Sequence, residues 1–238
     1  MNRKKMVLIG AGSAVFTQGL VADLITTEGL GTWEVALVDT DPAALKAITG
    51  FVSRMIAAKG ADIPVHSASD RRDVLKGADV VVTTIAVGGR RAWEKDVFIP
   101  RKYGIYQPVG DTTMPGGISR ALRMIPAMIQ IAEDIKRLCP DAYFFNYSNP
   151  MTPVCQAIRS ELDIPVIGLC HGVLHVEQHI GRLLGREPGT IRSLGAGLNH
   201  LTFLYDLRAG GEDLHPELTA KSKEGLNKMA QSQLAAKH

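Results

Sequence analysis

Glycine, carboxylate, thiol and imidazole recur in this 238-residue chain at places where turns expose them. Gly10-Ala11-Gly12-Ser13 follows one apolar run and precedes a helical one. That spacing suits a phosphate: Gly10 permits a tight turn, Gly12 lets the backbone approach a pyrophosphate, and the helix start after Ser13 offers N–H donors. Asp39 closes the next apolar run, where a carboxylate accepts from adenosine ribose hydroxyls and repels a 2′-phosphate, so NAD is expected over NADP. The match to G-x-G-x-x-G departs at Val15, which stands in place of the third glycine, and Asp39 lies farther on than the usual ~20 residues.

A second constellation is Cys170 with His200, a thiolate and an imidazole that can hold a divalent metal and leave positions open for substrate oxygens. Taken alone, Cys170 also reads as an inert buried cysteine, and His200 as a capping or core histidine. His175 and His179 share a helix face at metal-binding spacing but lack the glutamate of H-E-x-x-H, and read as surface residues. Cys139 and Cys155 sit on apolar helix faces and are expected in the core. Asp111, between Gly110 and Thr112, is either a general acid or an Asx-turn residue bonding its own backbone. Asn149, before Pro150, either donates to a substrate hydroxyl beside a nicotinamide or only shapes a turn.

The elements that must position these groups follow from hydropathy. Strands are expected at Lys5–Ile9, Glu34–Val38, Ala78–Ile85, Tyr143–Phe145 and Val166–Cys170. The run Ala78–Ile85 is almost continuously β-branched, as in a strand covered on both faces. Helices are expected at Ala14–Ile25, Phe51–Lys59, Arg71–Lys76, Ile118–Leu138 with a bend at Pro126, Pro153–Leu162, and across His175 and His179. Between them, Val87-Gly88-Gly89-Arg90-Arg91 reads as a loop at a strand's C-terminal end, the edge where open α/β sheets bind ligands. Ile105–Gly117 reads as a long turn-rich insertion with a functional task. Alternating strand and helix make an α/β fold, a Rossmann-like doubly wound parallel sheet over residues 1–190. Near Ile191 the pattern turns to β-alternation, so a second α+β domain is expected to begin in 191–238, ending in a loose helix or fraying tail from Thr219.

Composition excludes several classes. The chain is 45% hydrophobic and 21% charged, with a net charge of +3 and scattered Lys and Arg, so neither nucleic acid nor a membrane surface is expected as a partner. No apolar stretch nears ~18 residues and no leader pattern is evident, so the cytoplasm is the expected compartment. Three cysteines make no disulfide framework.

Taken in order, Gly10-Ala11-Gly12-Ser13 with Phe16-Thr17, Gly88-Gly89-Arg90-Arg91-Ala92, Gly110-Asp111-Thr112 through Gly116-Gly117, Asn146-Tyr147-Ser148-Asn149-Pro150, Gly168-Leu169-Cys170-His171-Gly172 and Gly197-Leu198-Asn199-His200 resemble the motifs of family 4 glycoside hydrolases across residues 6–206. The resemblance implies a lactate/malate-dehydrogenase-like fold and the NAD-dependent exception among glycosidases. It implies that NAD⁺ takes hydride from C3 of a sugar while a divalent metal, usually Mn²⁺, polarises the ketone. A base then removes the C2 proton, the aglycone leaves with help from an acid, water adds, and the hydride returns.

Residue by residue, the resemblance assigns Cys170 and His200 to the metal and Asp111 to the acid on the leaving oxygen. It assigns Asn149 and Arg91 to the sugar, and Gly10, Gly12, Ser13, Phe16 and Asp39 to the cofactor. His171-Gly172 after the cysteine is similar to members acting on non-phosphorylated α-glucosides, α-galactosides or α-glucuronides, as a dimer or tetramer. Members are roughly twice as long, and the base would lie past His238 or in the tail; Tyr205 is not assigned to it. The chain is therefore expected to be an NAD- and metal-dependent α-glycosidase or the N-terminal part of one, a fragment or a truncated homologue that binds NAD without turning over. The rivals are a 2-hydroxy-acid dehydrogenase, for which no His-Asp relay is found, and a non-catalytic NAD-binding module.

Overall fold

The computed structural model describes residues 3–107, 112–187, 189–198 and 201–235. The chain packs as two units, 1–169 and 170–238. The change of sequence pattern near Ile191 lies inside the second.

The first unit is built on β1 (Lys4–Ile9), β2 (Trp33–Val38), β3 (Val65–Ala68), β4 (Val80–Thr83), β5 (Tyr143–Asn146) and β6 (Ile167–Gly168). They form one sheet in the order β3-β2-β1-β4-β5-β6, with every neighbouring pair parallel. This is the dinucleotide-fold order, and the expected doubly wound sheet is borne out. Strand alternation divides the core. Val7 and Ile9 of β1 join Ala36, Val38 and Val81 on one face, while Met6 and Leu8 join Val35, Leu37 and Val82 on the other. The first face is covered by α4 (Met114–Leu138) and α5 (Met151–Leu162) through Met124, Met128, Ile131, Val154 and Ile158. Onto the second pack α1 (Ala14–Thr26) and α2 (Pro42–Ala58), with α2 presenting Leu45, Ile48, Val52 and Ile56 at helical spacing. Each such side chain contributes about 1.5–3 kcal/mol on burial.

Several boundaries differ from those expected. The helix read from Phe51 starts nine residues earlier, because Asp41 accepts from the N–H groups of Ala43 (2.9 Å) and Ala44 (3.1 Å) and Pro42 takes the first helical position. Val65–Ala68, half polar, is an edge strand. Arg71–Lys76 is a single 3-10 turn over Arg71–Asp73, and the β-branched run is ladder only over Val80–Thr83. The loop read at Gly88–Arg91 already contains the start of α3 (Gly89–Arg101), so Arg91 stands on a helix. Likewise the turn-rich insertion gives way at Met114 to α4, whose first turn holds Pro115, Gly116 and Gly117. A Cβ on Gly117 would fall 2.3 Å from the Thr112 carbonyl carbon, so glycine is needed there for the helix to pass under that backbone.

The second unit comprises α6 (Gly172–Leu184), β7 (Ile191–Arg192), the antiparallel pair β8 (Gly195–Leu198) and β9 (Leu201–Leu204), β10 (Arg208–Ala209), β11 (Glu212–Asp213) and α7 (His215–Ala235). Its core is Ile180, Leu184, Ile191, Leu207 and Leu214. The β-alternation expected from near Ile191 thus includes the antiparallel pair β8 and β9, and the tail expected as a loose helix or fraying end is helical as far as Ala235. His215 opens α7 with Nδ1 2.8 Å from Asp213 Oδ1 and Nε2 3.0 Å from the Leu204 carbonyl oxygen. Two acceptors on one ring require both nitrogens to donate, which only the imidazolium does. The Leu204 carbonyl first, and Asp213 next, raise its pKa above the usual 6.5. The stabilisation is therefore fully present below pH ~6.5 and lost as pH rises through the raised value. Wild-type protein should lose more melting temperature between pH 6 and 8 than His215→Gln; equal losses would refute the pairing.

Candidate functional site

The C-terminal ends of β1, β2 and β4 converge where the sheet order reverses, the place at which open α/β sheets take ligands. Here the glycine turn is held from three sides. Gly10 has φ +92°, and a Cβ on it would lie 2.8 Å from the Thr84 carbonyl carbon and 2.9 Å from the Ile85 nitrogen. The Thr84 hydroxyl donates to the Gly10 carbonyl oxygen (2.8 Å), and the buried Thr17 hydroxyl donates to that of Ala11 (2.8 Å). Asp39, at the end of β2, accepts the Gly12 N–H at 2.7 Å and the Asp41 N–H at 2.9 Å. The acid read as a ribose contact therefore also anchors the turn. Ser13 precedes the first residue of α1 without a side-chain cap, leaving the first-turn N–H groups facing outward.

Beside the turn lies a cleft of 980 Å³ lined by Gly10, Ser13, Asp39, Ser69–Arg72, Thr84–Gly88 and the α4 residues Ala127, Gln130 and Ile131. The contributions of Thr17, Thr84 and Ser69–Arg72 escaped the sequence reading. Thr17 and Thr84 look like ordinary core threonines in sequence; only a buried hydroxyl's need for an acceptor hints at more.

At the end of β5, Asn146 is fully buried. Its Oδ1 accepts from the Thr83 hydroxyl (3.0 Å) and the Ser148 N–H (2.9 Å), while Nδ2 donates to the Ser148 carbonyl oxygen (3.1 Å). This side chain shapes the turn that presents Asn149, whose carbonyl oxygen accepts from Arg120 Nε (3.1 Å) before a cis bond to Pro150. Phe16, in the first turn of α1, meets Tyr147 with ring centroids 5.1 Å apart. Arg91 is exposed on α3.

Behind the loop that joins α3 to α4 is a buried polar network. Asp96 accepts from the Ser119 hydroxyl (2.8 Å) and from both terminal nitrogens of Arg123 (2.9 and 2.6 Å), which raises the guanidinium's pKa. Gln107 donates to the Asp96 carbonyl oxygen (2.9 Å) and accepts the Gly116 N–H (2.7 Å), so one amide ties together the described ends of that loop.

Asp111 and His200 lie outside the described residues. Cys170 opens the second unit two residues past β6, exposed, with its sulfur accepting the Gly172 N–H at 3.4 Å. His175 and His179 are exposed on α6, and His171 and His175 have ring centroids 4.4 Å apart. Among the described residues, no three potential metal donors gather. Cys139 and Cys155 are buried as expected, and burial pushes the Cys139 thiol up to about 11. No described helix is long and apolar enough to cross a membrane.

Residues 5–186 match the family model described as "Family 4 glycosyl hydrolase". Among curated proteins, an alpha-galactosidase of Bacillus subtilis (strain 168) is 37% identical over 222 residues, covering 93% of this chain and 51% of its own length. An alpha-glucosidase of Erwinia rhapontici is 37% identical over 226 residues, covering 92% and 49%. Among solved structures, the 6-phospho-beta glucosidase from Thermotoga maritima with manganese, NAD+ and glucose-6-phosphate superposes with a TM-score of 0.81 at 28% identity, covering 94% of this chain and 52% of that one. The chain thus spans about half the length of the relatives it matches.

Proposed function

Because this chain belongs to the family 4 glycosyl hydrolases, we propose that it forms the dinucleotide-binding part of an NAD- and divalent-metal-dependent glycosidase acting on α-glycosides of non-phosphorylated sugars. The observation that carries the reading is the glycine turn, held by Thr84, Thr17 and Asp39 at the reversal of strand order beside an open cleft.

The residues present fit a dinucleotide. Side chains are excluded at Gly10 by the Thr84–Ile85 backbone that follows β4, the first turn of α1 offers N–H donors to a pyrophosphate, and the remaining lone pairs of Asp39 would accept from ribose hydroxyls. When bound, NAD⁺ supplies a hydride acceptor for C3 of the sugar and later the donor that returns it. Cys170 and His200 would hold the metal, usually Mn²⁺, which polarises the sugar's C2 and C3 oxygens; the N–H already donated to Cys170 is a contact that a ligating thiolate keeps. Asn149 donates to the sugar hydroxyl near C3, Arg91 contacts the sugar, and Asp111 hands its proton to the leaving oxygen. Phe16, which meets Tyr147 ring to ring, would line the cofactor site from the first turn of α1.

For the substrate, Cys170-His171-Gly172 supports a non-phosphorylated α-glucoside, α-galactoside or α-glucuronide, and the α-galactosidase and α-glucosidase relatives at 37% identity point the same way. The test is hydrolysis of the corresponding p-nitrophenyl α-glycosides, with the 6-phosphate of the glucoside for comparison, each with and without NAD⁺, Mn²⁺ and a thiol reductant. Turnover of an unphosphorylated α-glycoside that requires both NAD⁺ and metal supports the reading. Turnover without NAD⁺, or confined to the 6-phosphate, would overturn it.

A further inference from the structure

Two arginines line the ribose end of the cleft, in the place where an NADP-binding site keeps a cation for the 2′-phosphate. The register Val38↔Ala68 brings the next residues, Asp39 and Ser69, side by side on the sheet's C-terminal edge at the ~4.8 Å strand spacing. Arg71 and Arg72 follow directly in the 3-10 turn. Both guanidinium groups are engaged. Arg71 donates to Asp134 through Nε (2.8 Å) and to the Gln130 carbonyl oxygen (3.3 Å), which fastens it to α4. Arg72 Nε lies 3.0 Å from each carboxylate oxygen of Asp70, and a terminal nitrogen completes a fork-like pair.

We propose that Asp70 is a cofactor-selecting residue: by pairing with Arg72 it withholds that guanidinium from a 2′-phosphate, and with Asp39 it places a second carboxylate at the ribose end, so the site takes NAD and excludes NADP. The inference rests on the dinucleotide reading above and deepens it. The charges at this edge support it. Arg72 is paired with Asp70, and Arg71 is held by Asp134, which also pairs with Arg137, so both guanidinium groups lining this edge already have carboxylate partners, and a 2′-phosphate would have to compete with Asp70 for Arg72 beside Asp39. Asp70 keeps its charge at every physiological pH, because the bond from the Arg72 side chain and that from the Arg72 N–H hold its carboxyl down to about 2. Asp70 also opens the 3-10 turn by accepting the Arg72 N–H at 2.9 Å. Asp70→Asn keeps an acceptor for that bond and removes only the charge.

Dissociation constants of NAD⁺ and NADP⁺ for the purified protein, by titration calorimetry at low and high salt, test the assignment in wild type, Asp70→Asn and Asp70→Asn/Arg72→Ala. In Asp70→Asn, NADP⁺ should bind about tenfold tighter at low salt while NAD⁺ changes less than about threefold, since a released arginine meets a phosphate by charge-assisted bonds that salt screens. Adding Arg72→Ala should remove the gain. An unchanged NADP⁺ constant in Asp70→Asn, or a gain that survives the loss of Arg72, overturns the role of Asp70 while leaving the cofactor reading intact. A wild type that binds neither dinucleotide overturns both.

Discussion

Gly10→Ala is expected to weaken NAD⁺ binding by about 100-fold, or ~2.7 kcal/mol, and to destabilise the first unit by about 1–3 kcal/mol. The two losses share one cause. At φ +92° an L side chain is strained, and the added Cβ would stand 2.8 Å from the Thr84 carbonyl carbon and 2.9 Å from the Ile85 nitrogen. Both are backbone atoms of the chain leaving β4, so relief requires β1 and β4 to part at their C-terminal ends. That movement breaks the bond from the Thr84 hydroxyl to the Gly10 carbonyl oxygen and carries the start of α1 away from the pyrophosphate position. Thermal melts with calorimetric NAD⁺ titration check it. A variant that binds NAD⁺ within about threefold of wild type would show that this turn is not the phosphate site.

The second large effect is expected in the polar network between α3 and α4. Asp96→Ala should destabilise the first unit by about 3 kcal/mol, at the lower end of the range for breaking a buried ion pair because Arg123 retains 29% side-chain exposure. Asp96 has 1% side-chain exposure and collects the Ser119 hydroxyl and both terminal nitrogens of Arg123. Without it, a guanidinium whose Nε is already buried and unpartnered stays between α3 and α4 with no anion. The exposed pair of Arg90 with Glu94 provides the contrast. Glu94→Gln should change stability by no more than about 0.5 kcal/mol, because solvent already screens that pair. Denaturant titrations of both variants decide the matter, and similar losses at the two sites would rule out a special role for the Asp96 network.

Much of the fold was legible because it is written locally. Met6–Ile9, Val35–Val38 and the β-branched run at Val80 are apolar on consecutive residues, which is how a strand buried on both faces must read. Ser67 and Asp70, by contrast, lie in a polar stretch, and β3 earns its place in the sheet through edge pairing with β2 rather than through hydropathy. The start of α2 was legible in Asp41-Pro42, a cap followed by a first-turn proline, yet the absence of an apolar stripe before Leu45 concealed it. Glycines misled in the other direction: Gly89, Gly116 and Gly117 read as turns, but they sit in the first turns of α3 and α4, where Gly117 lets the helix pass against Thr112.

The residue types available to the site are legible along the chain: a glycine turn for an anion, an acid at a strand end, an asparagine before proline, and a thiol followed by histidine and glycine. Those depend only on neighbours in the chain. Which distant groups those residues meet is set by the fold. Asp39 reaches Gly12, Thr84 reaches Gly10, Asp70 and Arg72 come up beside Asp39, and Asp96 finds Arg123. Each of those meetings depends on strand order and helix packing. Hydropathy along a chain can report that a strand is buried, but not which strand lies beside it, and so it leaves open which carboxylate will hold which donor.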